Sequence, residues 1–572
     1  MRYLSFILLV SCICLFSCGA PGEETKQDID PFHYEQQKKA VGSNGAVVSA
    51  HPLASKVGLS ILKQGGNAVD AAIATQLALA VVYPEAGNIG GGGFMVARLS
   101  NGETVALDYR ETAPASAHRD MYLDEQGNII PKKSTRGASS SGVPGTVAGL
   151  FESMKYAKLP FEKLIDPAIG LAEKGFALSE REARALNNQQ EELNQYNTAR
   201  SAFQRDIPFK AGDTLIQADL ALTLKRMREN GRAGFYDGET ARLIVDQMKA
   251  GGGYISADDL KNYEAKWRDP FQFVYKGYTI ISMPMPSSGG LLLNQMLKMI
   301  EDRPLADHGF LSPESIQLMT EVERRAYADR AQYMGDGDFY KVPVKELASS
   351  EYLQGRMKDY VPGKAGSSIV TQPGRIQRKE SEETTHLSVI DKEGNAVAVT
   401  TTLNDSYGSR TVVAGAGFLL NDEMDDFSAK PGAPNMFGAV GGEANAIAPN
   451  KRMLSSMTPT IVLKDNKPYL VTGTPGGTTI PTSVFQTLVN IIDFKLSAEE
   501  AVNGPKFHHQ WLPDRIDIEK KFPDSTRAAL EKMGYTLFER NSIGRVELIR
   551  ILPDGSIEAV ADIRGEDSAE VF

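Results

Sequence analysis

Residues 381–404 read Ser-Glu-Glu-Thr-Thr-His-Leu-Ser-Val-Ile-Asp-Lys-Glu-Gly-Asn-Ala-Val-Ala-Val-Thr-Thr-Thr-Leu-Asn. Two alternating runs flank a Lys392-Glu393-Gly394-Asn395 turn, which predicts a hairpin. Before it, residues 362–383 are rich in Gly, Ser, Pro and charge, with almost no apolar periodicity. That composition predicts an exposed, mobile segment feeding directly into a buried strand at Thr384.

The order of those two pieces has a chemical meaning. A hydroxyl nucleophile needs a base, and no GxSxG elbow or obvious Ser/His/Asp spacing appears. An amino-terminal Thr can use its own α-amino group, which titrates near neutrality where a lysine does not. Such a residue is made by cutting the chain in front of it. Glu383-Thr384-Thr385-His386 has the required form, a loose stretch running into a strand that starts with Thr.

Working outward, residues 67–82 predict a buried helix closed by Pro84. Gly90 to Gly93 read either as the floor of a cleft or as a tight helix-to-strand turn, with the turn favoured. They lead into Phe-Met-Val-Ala-Arg-Leu, an Asn101-Gly102 turn and Thr-Val-Ala-Leu-Asp-Tyr-Arg, a second hairpin. Residues 145–260 are mostly helical in pattern, 271–283 strand-like, and 291–300 and 313–333 helical. Beyond the hairpin, residues 459–477 and 546–562 predict two more hairpins, with a helix over 482–494 between them. No repeat is visible. Strands and helices in segregated runs predict an α+β fold with sheets between helical layers.

Composition narrows the function. The chain has 572 residues, with 62 basic against 72 acidic side chains and a net charge of −10. An acidic balance argues against nucleic acid as the main partner. The apolar and charged fractions, 42% and 23%, are those of a globular protein rather than a disordered one. Cys12, Cys14 and Cys18 are the only cysteines, so the body has no disulfide framework or thiolate metal site. No HExxH or similar ligand spacing occurs among the histidines, and no structural zinc is expected.

The amino terminus carries Arg2, an apolar run from Leu4 to Phe16, and Ser17-Cys18-Gly19-Ala20. The run is too short to span a bilayer, which takes roughly 20 residues, and reads as a secretory signal. Leu15-Phe16-Ser17-Cys18 also resembles a bacterial lipobox, with Cys18 as the lipidated residue. Residues 1–17 are thus expected as a signal peptide and 18–35 as a tether. The body would work outside the cytoplasm, in the periplasm or held to a membrane only by that lipid anchor.

Residues 381–404 closely resemble the start of the small subunit of gamma-glutamyltransferases, also called glutathione hydrolases. The resemblance continues through residues 421–432, 449–462, 471–477 and 507–514, and in the first half through 88–96 and 107–114. It implies an N-terminal nucleophile hydrolase fold, a four-layer αββα sandwich. One precursor would cut itself between Glu383 and Thr384 into a large subunit, 36–383, and a small one, 384–572, that stay together as a heterodimer. Thr384 would be the nucleophile and its freed amino group the base. Thr402 would hydrogen-bond the nucleophile, and the Gly476 and Gly477 amides would receive the oxyanion.

The substrate's γ-glutamyl end carries an α-carboxylate and an α-ammonium, and both need partners in a partly dry pocket. By matching motif, Arg110, Ser455 and Ser456 would take the carboxylate, and Asn404, Glu423 and Asp426 the ammonium. Asp425 is expected as structural and His386 as a packing residue, while His508 and His509 have no assigned chemistry. Residues 431–442 resemble a lid loop, with Phe437 where many bacterial members carry Tyr. The implied reaction moves the γ-glutamyl group of glutathione or another γ-glutamyl amide to water, an amino acid or a dipeptide, with no cofactor. Two alternatives use the same residues differently. One is a related amidase acting on a cephalosporin side chain or poly-γ-glutamate; the other is an uncut lipoprotein that binds γ-glutamyl peptides without turnover.

Overall fold

The computed structural model describes residues 29–372, 384–436 and 438–572. The expected signal peptide, Cys18, Glu383 and Phe437 lie outside the described residues. Fourteen strands build two sheets. In chain order they are β1 (Lys39–Gly42), β2 (Gly45–Ser49), β3 (Gly92–Arg98), β4 (Thr104–Tyr109), β5 (Lys266–Arg268), β6 (Phe271–Tyr275) and β7 (Tyr278–Ser282). They continue with β8 (Thr385–Asp391), β9 (Ala396–Thr402), β10 (Thr460–Lys464), β11 (Lys467–Gly473), β12 (Glu547–Ile551), β13 (Ile557–Ala561) and β14 (Ser568–Val571).

The first sheet has the order β14-β2-β8-β9-β3-β4-β5, and the second β1-β13-β12-β11-β10-β7-β6. Within these two sheets every pairing is antiparallel. The expected hairpins are present as β3–β4, β8–β9, β10–β11 and β12–β13.

Three apolar layers explain why the sheets stack. Helices α1 (Pro52–Lys63) and α2 (Ala68–Val82) lie with Leu387, Val389, Val397 and Val399 in one core. Ile390, Ala396 and Ala398, on the opposite face of the same strands, join Ile461, Val471 and Ile549 of the second sheet. The outer face of that sheet packs under α3 (Gly289–Ile300), α4 (Pro313–Tyr333) and α5 (Thr479–Ile492). The result is helix, sheet, sheet, helix, as expected. Every residue of β8 and β9 is buried, so their alternation separates two cores rather than core from solvent.

Both sheets mix strands from either side of Thr384. β8 is hydrogen-bonded between β2, from the first fifty residues, and β9. A break before Thr384 would therefore cut the chain without separating the layers. At the end of the expected tether, Pro31 accepts the Ala177 amide and the Tyr34 hydroxyl donates to the Ala177 carbonyl, so these residues are bonded to the body. No helix among the described residues is long and apolar enough to cross a membrane.

Candidate active site

Thr384 stands one residue before β8, at the mouth of the nucleophile sheet, and is buried. The ladder pairs Thr385 with Thr401, which brings Thr402 across from Thr384. Thr402 Oγ1 accepts the Asn404 amide at 2.8 Å, so its own proton is available to a neighbouring oxygen. Asn404 has a φ of 79°, a left-handed turn that ends the strand at the cleft. Its carboxamide nitrogen donates to the Asp422 carbonyl at 3.0 Å, which leaves the oxygen as the acceptor.

Thr384, Thr402, Asn404, Arg110, Glu423, Asp426, Ser455, Ser456 and Gly477 all line one cleft. Arg110 is 1% exposed and donates to both the Glu423 and the Asp426 carboxylate, one through each terminal nitrogen. Burial alone would depress the guanidinium pKa; Glu423, Asp426 and Glu111 more than offset it and hold Arg110 above its usual range. Burial pushes the Glu423 and Asp426 carboxyls up, and Arg110 pulls both back. A zwitterion entering this cluster meets a cation and two anions already in place, so its two charges insert without leaving either one unmatched.

The serines are poised as donors. Ser455 Oγ accepts the Met457 amide at 3.1 Å, and Ser456 Oγ accepts Arg330 Nη2 at 3.0 Å. Each hydroxyl thus keeps its proton for an anion in the cleft. Ser455 is held by its backbone as well, since its carbonyl accepts both the amide and the hydroxyl of Ser288, each at 2.8 Å.

At the other side of Thr384, Gly476 and Gly477 precede α5, with φ of 134° and 52°. These left-handed values suit glycine. The Thr479 and Ile480 amides bond back to the Gly476 and Gly477 carbonyls, which starts the helix. Two glycine amides at the positive end of a 14-residue helix make a site for negative charge.

The glycine run at 90–93 is corrected. It is not chiefly a turn: Gly92 and Gly93 open β3 and pair with Thr402 and Thr401. A Cβ on Gly91 would stand 2.0 Å from the Thr402 carbonyl oxygen, and one on Gly92 2.5 Å from Glu111 Oε2. Asn88 completes the contact by donating to the Thr402 carbonyl at 2.9 Å. His386 lies fully buried against Gly473, as a packing residue would, with its ring bonded to Thr400 and Ser388 hydroxyls. Burial lowers its pKa to about 3, so it stays neutral. Asp425 braces the expected lid loop by accepting the Met436 amide at 2.7 Å, while Asn435 Nδ2 reaches Asp426 at 3.2 Å.

Sequence reasoning missed two side chains here. Glu111 is fully buried 3.6 Å from Arg110, and burial raises its pKa to about 7. Its only signal was its place beside Arg110. Arg330, inside α4, lines the cleft and bridges Ser456 and Ser288. In the sequence it is one more charge on a long helix.

A buried Thr at the head of an inner strand, faced by helix-end amides in a four-layer αββα sandwich, defines an enzyme of the N-terminal nucleophile hydrolase class. The solved cephalosporin acylase of Bacillus halodurans shares this fold: TM-score 0.82 at 24% identity, covering 98% of this chain and 99% of that one. The gamma-glutamyltranspeptidase family profile matches residues 54–572, and the chain belongs to that family. The glutathione hydrolase proenzyme of Escherichia coli (strain K12) is 45% identical over 99% of this chain and 98% of its own length. The crystal structure of Helicobacter pylori gamma-glutamyltranspeptidase matches 59% of this chain and 96% of its own, at 46% identity and a TM-score of 0.57.

Proposed function

We propose that this chain is a gamma-glutamyltransferase and glutathione hydrolase that first cuts itself between Glu383 and Thr384. Thr384 Oγ attacks the preceding carbonyl, the acyl group shifts from nitrogen to oxygen and frees the Thr384 amine, and water then hydrolyses the ester to a Glu383 carboxylate and the Thr384 hydroxyl. The freed α-amino group of Thr384 then serves as base. In turnover, Thr384 Oγ attacks the γ-carbonyl of glutathione or another γ-glutamyl amide, and the Gly476 and Gly477 amides hold the oxyanion. The leaving amine takes a proton and departs. Water, an amino acid or a dipeptide then resolves the γ-glutamyl ester.

The observation that carries this reading is the pairing of Arg110 with Glu423 and Asp426 in the cleft that also holds Thr384, Ser455 and Ser456. That arrangement matches both charges of a free glutamyl end. The test is competition. L-Glutamate should compete with a γ-glutamyl anilide donor, while glutarate and 4-aminobutyrate, each missing one charge, should compete at least about 10-fold more weakly. Equal competition by all three would favour the broader amidase reading. Saturable binding of γ-glutamyl peptides with no product would favour the binding protein.

The segment from Arg2 to Cys18 supports an exported protein, periplasmic or lipid-anchored at Cys18. Incorporation of labelled fatty acid, lost in Cys18→Ala, tests the anchor.

A further inference from the structure

We propose that the Phe507–Trp511 segment, acting through His508 and Gln510 and joined by Tyr327, is a brace that fixes the Gly476–Thr478 turn so that its amides meet the oxyanion. This rests on the reading of Gly476 and Gly477 as oxyanion donors. Neither glycine has a side chain to hold it, and both occupy backbone conformations that glycine leaves easily. Something beside them must set their direction, and Thr478 is the handle. Its carbonyl accepts the Tyr327 hydroxyl, and its own hydroxyl donates to Gln510 Oε1 at 2.6 Å.

The hydrogen-bond directions follow from one carbonyl. Gln510 Nε2 lies 3.2 Å from the Leu512 carbonyl, which can only accept, so the amide oxygen faces Thr478 and His508. That oxygen also can only accept. Thr478 and His508 Nε2, 2.9 Å away, must therefore both donate to it. His508 Nδ1 then carries no proton and faces the Thr482 hydroxyl at 2.8 Å, one turn into α5, sharing that hydroxyl's single proton with the Thr479 carbonyl 3.0 Å away. This pattern satisfies the contacts made by Gln510 with Leu512, Thr478 and His508. It ties the start of α5 to the segment at two points, Thr478 and Thr482.

The Tyr327 ring stands edge-on to His508, with centroids 5.5 Å apart, and delivers its hydroxyl to the same turn. His508, Gln510, Thr478, Thr482 and Tyr327 are all buried. Burial lowers the His508 pKa to about 3, so the imidazole stays neutral and the pattern holds at any working pH. His508 and Gln510 are absent from the cleft lining that holds Thr384 and Gly477. They are positioning residues, and their effect should appear only where the amides do work.

The test uses Gln510→Leu and Tyr327→Phe in the full-length protein. The second removes one hydroxyl and keeps the fold. Affinity is measured for a γ-boronic analogue of glutamate, which forms a tetrahedral adduct with a nucleophilic hydroxyl, and for L-glutamate, which does not. Removing an oxyanion donor outright costs about 10²–10³ in rate; displacing one should cost about 10-fold. The expected result is boronate affinity and kcat each about 10-fold lower, with L-glutamate affinity and KM within about 2-fold. Equal loss for both ligands, or a lower Tm with unchanged boronate affinity and kcat, overturns the brace. Gly477→Ala serves as the reference. If it loses boronate affinity while Gln510→Leu and Tyr327→Phe do not, the brace alone fails. If none of the three loses it, the oxyanion reading beneath it fails.

Discussion

The two ends of the cleft are made of different materials. At the recognition end, Arg110, Ser455 and Ser456 reach in from loops and Glu423 and Asp426 from a single 3-10 turn, so the proposed selectivity rests on side-chain charge and hydroxyls. At the reaction end, Thr384, Thr402, Gly476 and Gly477 stand at strand ends and a helix start, where the backbone sets position and, of these four, only Thr384 with its proposed free amine would carry charge. Side chains on loops can change ligand without moving strands. The proposed nucleophile stands at the head of an inner strand that is hydrogen-bonded on both sides from Leu387 on, so it cannot move far without moving the sheet. One fold can thus keep its chemistry while recognition varies, and substitutions at the two ends should fail in different ways.

The sharpest break is at the nucleophile. Thr384→Ala should stay one uncut chain and lose turnover by more than about 10³-fold, read from intact mass and release of the donor's amine. Its thermal stability should change little, because both sheets already combine strands from either side of Thr384. Next is the recognition end. Asp426→Asn removes one carboxylate from a buried cation and should lower kcat/KM for γ-glutamyl donors about 100-fold. A donor lacking the α-amino group should lose much less. Equal loss for both donors would mean that Asp426 supports the fold rather than the ammonium.

Ser455→Ala should be milder, raising KM about 10-fold with kcat nearly kept, since one hydroxyl donor to a carboxylate is removed. A fall in kcat with KM unchanged would place Ser455 at the reaction end instead. The smallest effect concerns Glu111. Its pKa is raised to about 7 by burial, from an ordinary 4.5. A raised carboxyl contributes stability at low pH, lost as pH climbs from near the unfolded value through about 7. The Tm of the wild type should therefore fall between pH 5 and pH 8, by a few degrees, and Glu111→Gln should flatten that slope. A parallel slope in the variant would take Glu111 out of the titration.

Much of the fold and of the cleft is legible in the amino-acid sequence. The β8–β9 hairpin follows from alternation around Lys392–Asn395, and the Thr384 site from composition on its two sides. Arg110 and Asp426 are legible only through the motif resemblance, which places them with the charges of a γ-glutamyl end; taken alone, each reads as a solvated charge. What escapes is what depends on chain crossings. Arg330 sits on a helix whose spacing gives no hint that one residue faces Ser456. β5 is three residues long, too short for periodicity, yet it closes the edge of the nucleophile sheet. Gly91 and Gly92 read as a turn because a run of glycines carries no sign of what packs against it; their reason is the Thr402 carbonyl and Glu111. His508 and Gln510 have no reading in the sequence because their partners, Thr478 and Thr482, lie about thirty residues away across a helix start.

The most direct test of the whole account is intact mass with amino-terminal sequencing of the purified full-length protein, followed over time. Two fragments should appear, the smaller beginning at Thr384, and γ-glutamyl turnover should rise in step with the cut. A chain that remains whole yet turns over donor, or an active small fragment that starts at any other residue, would contradict the assignment of Thr384 as nucleophile and base.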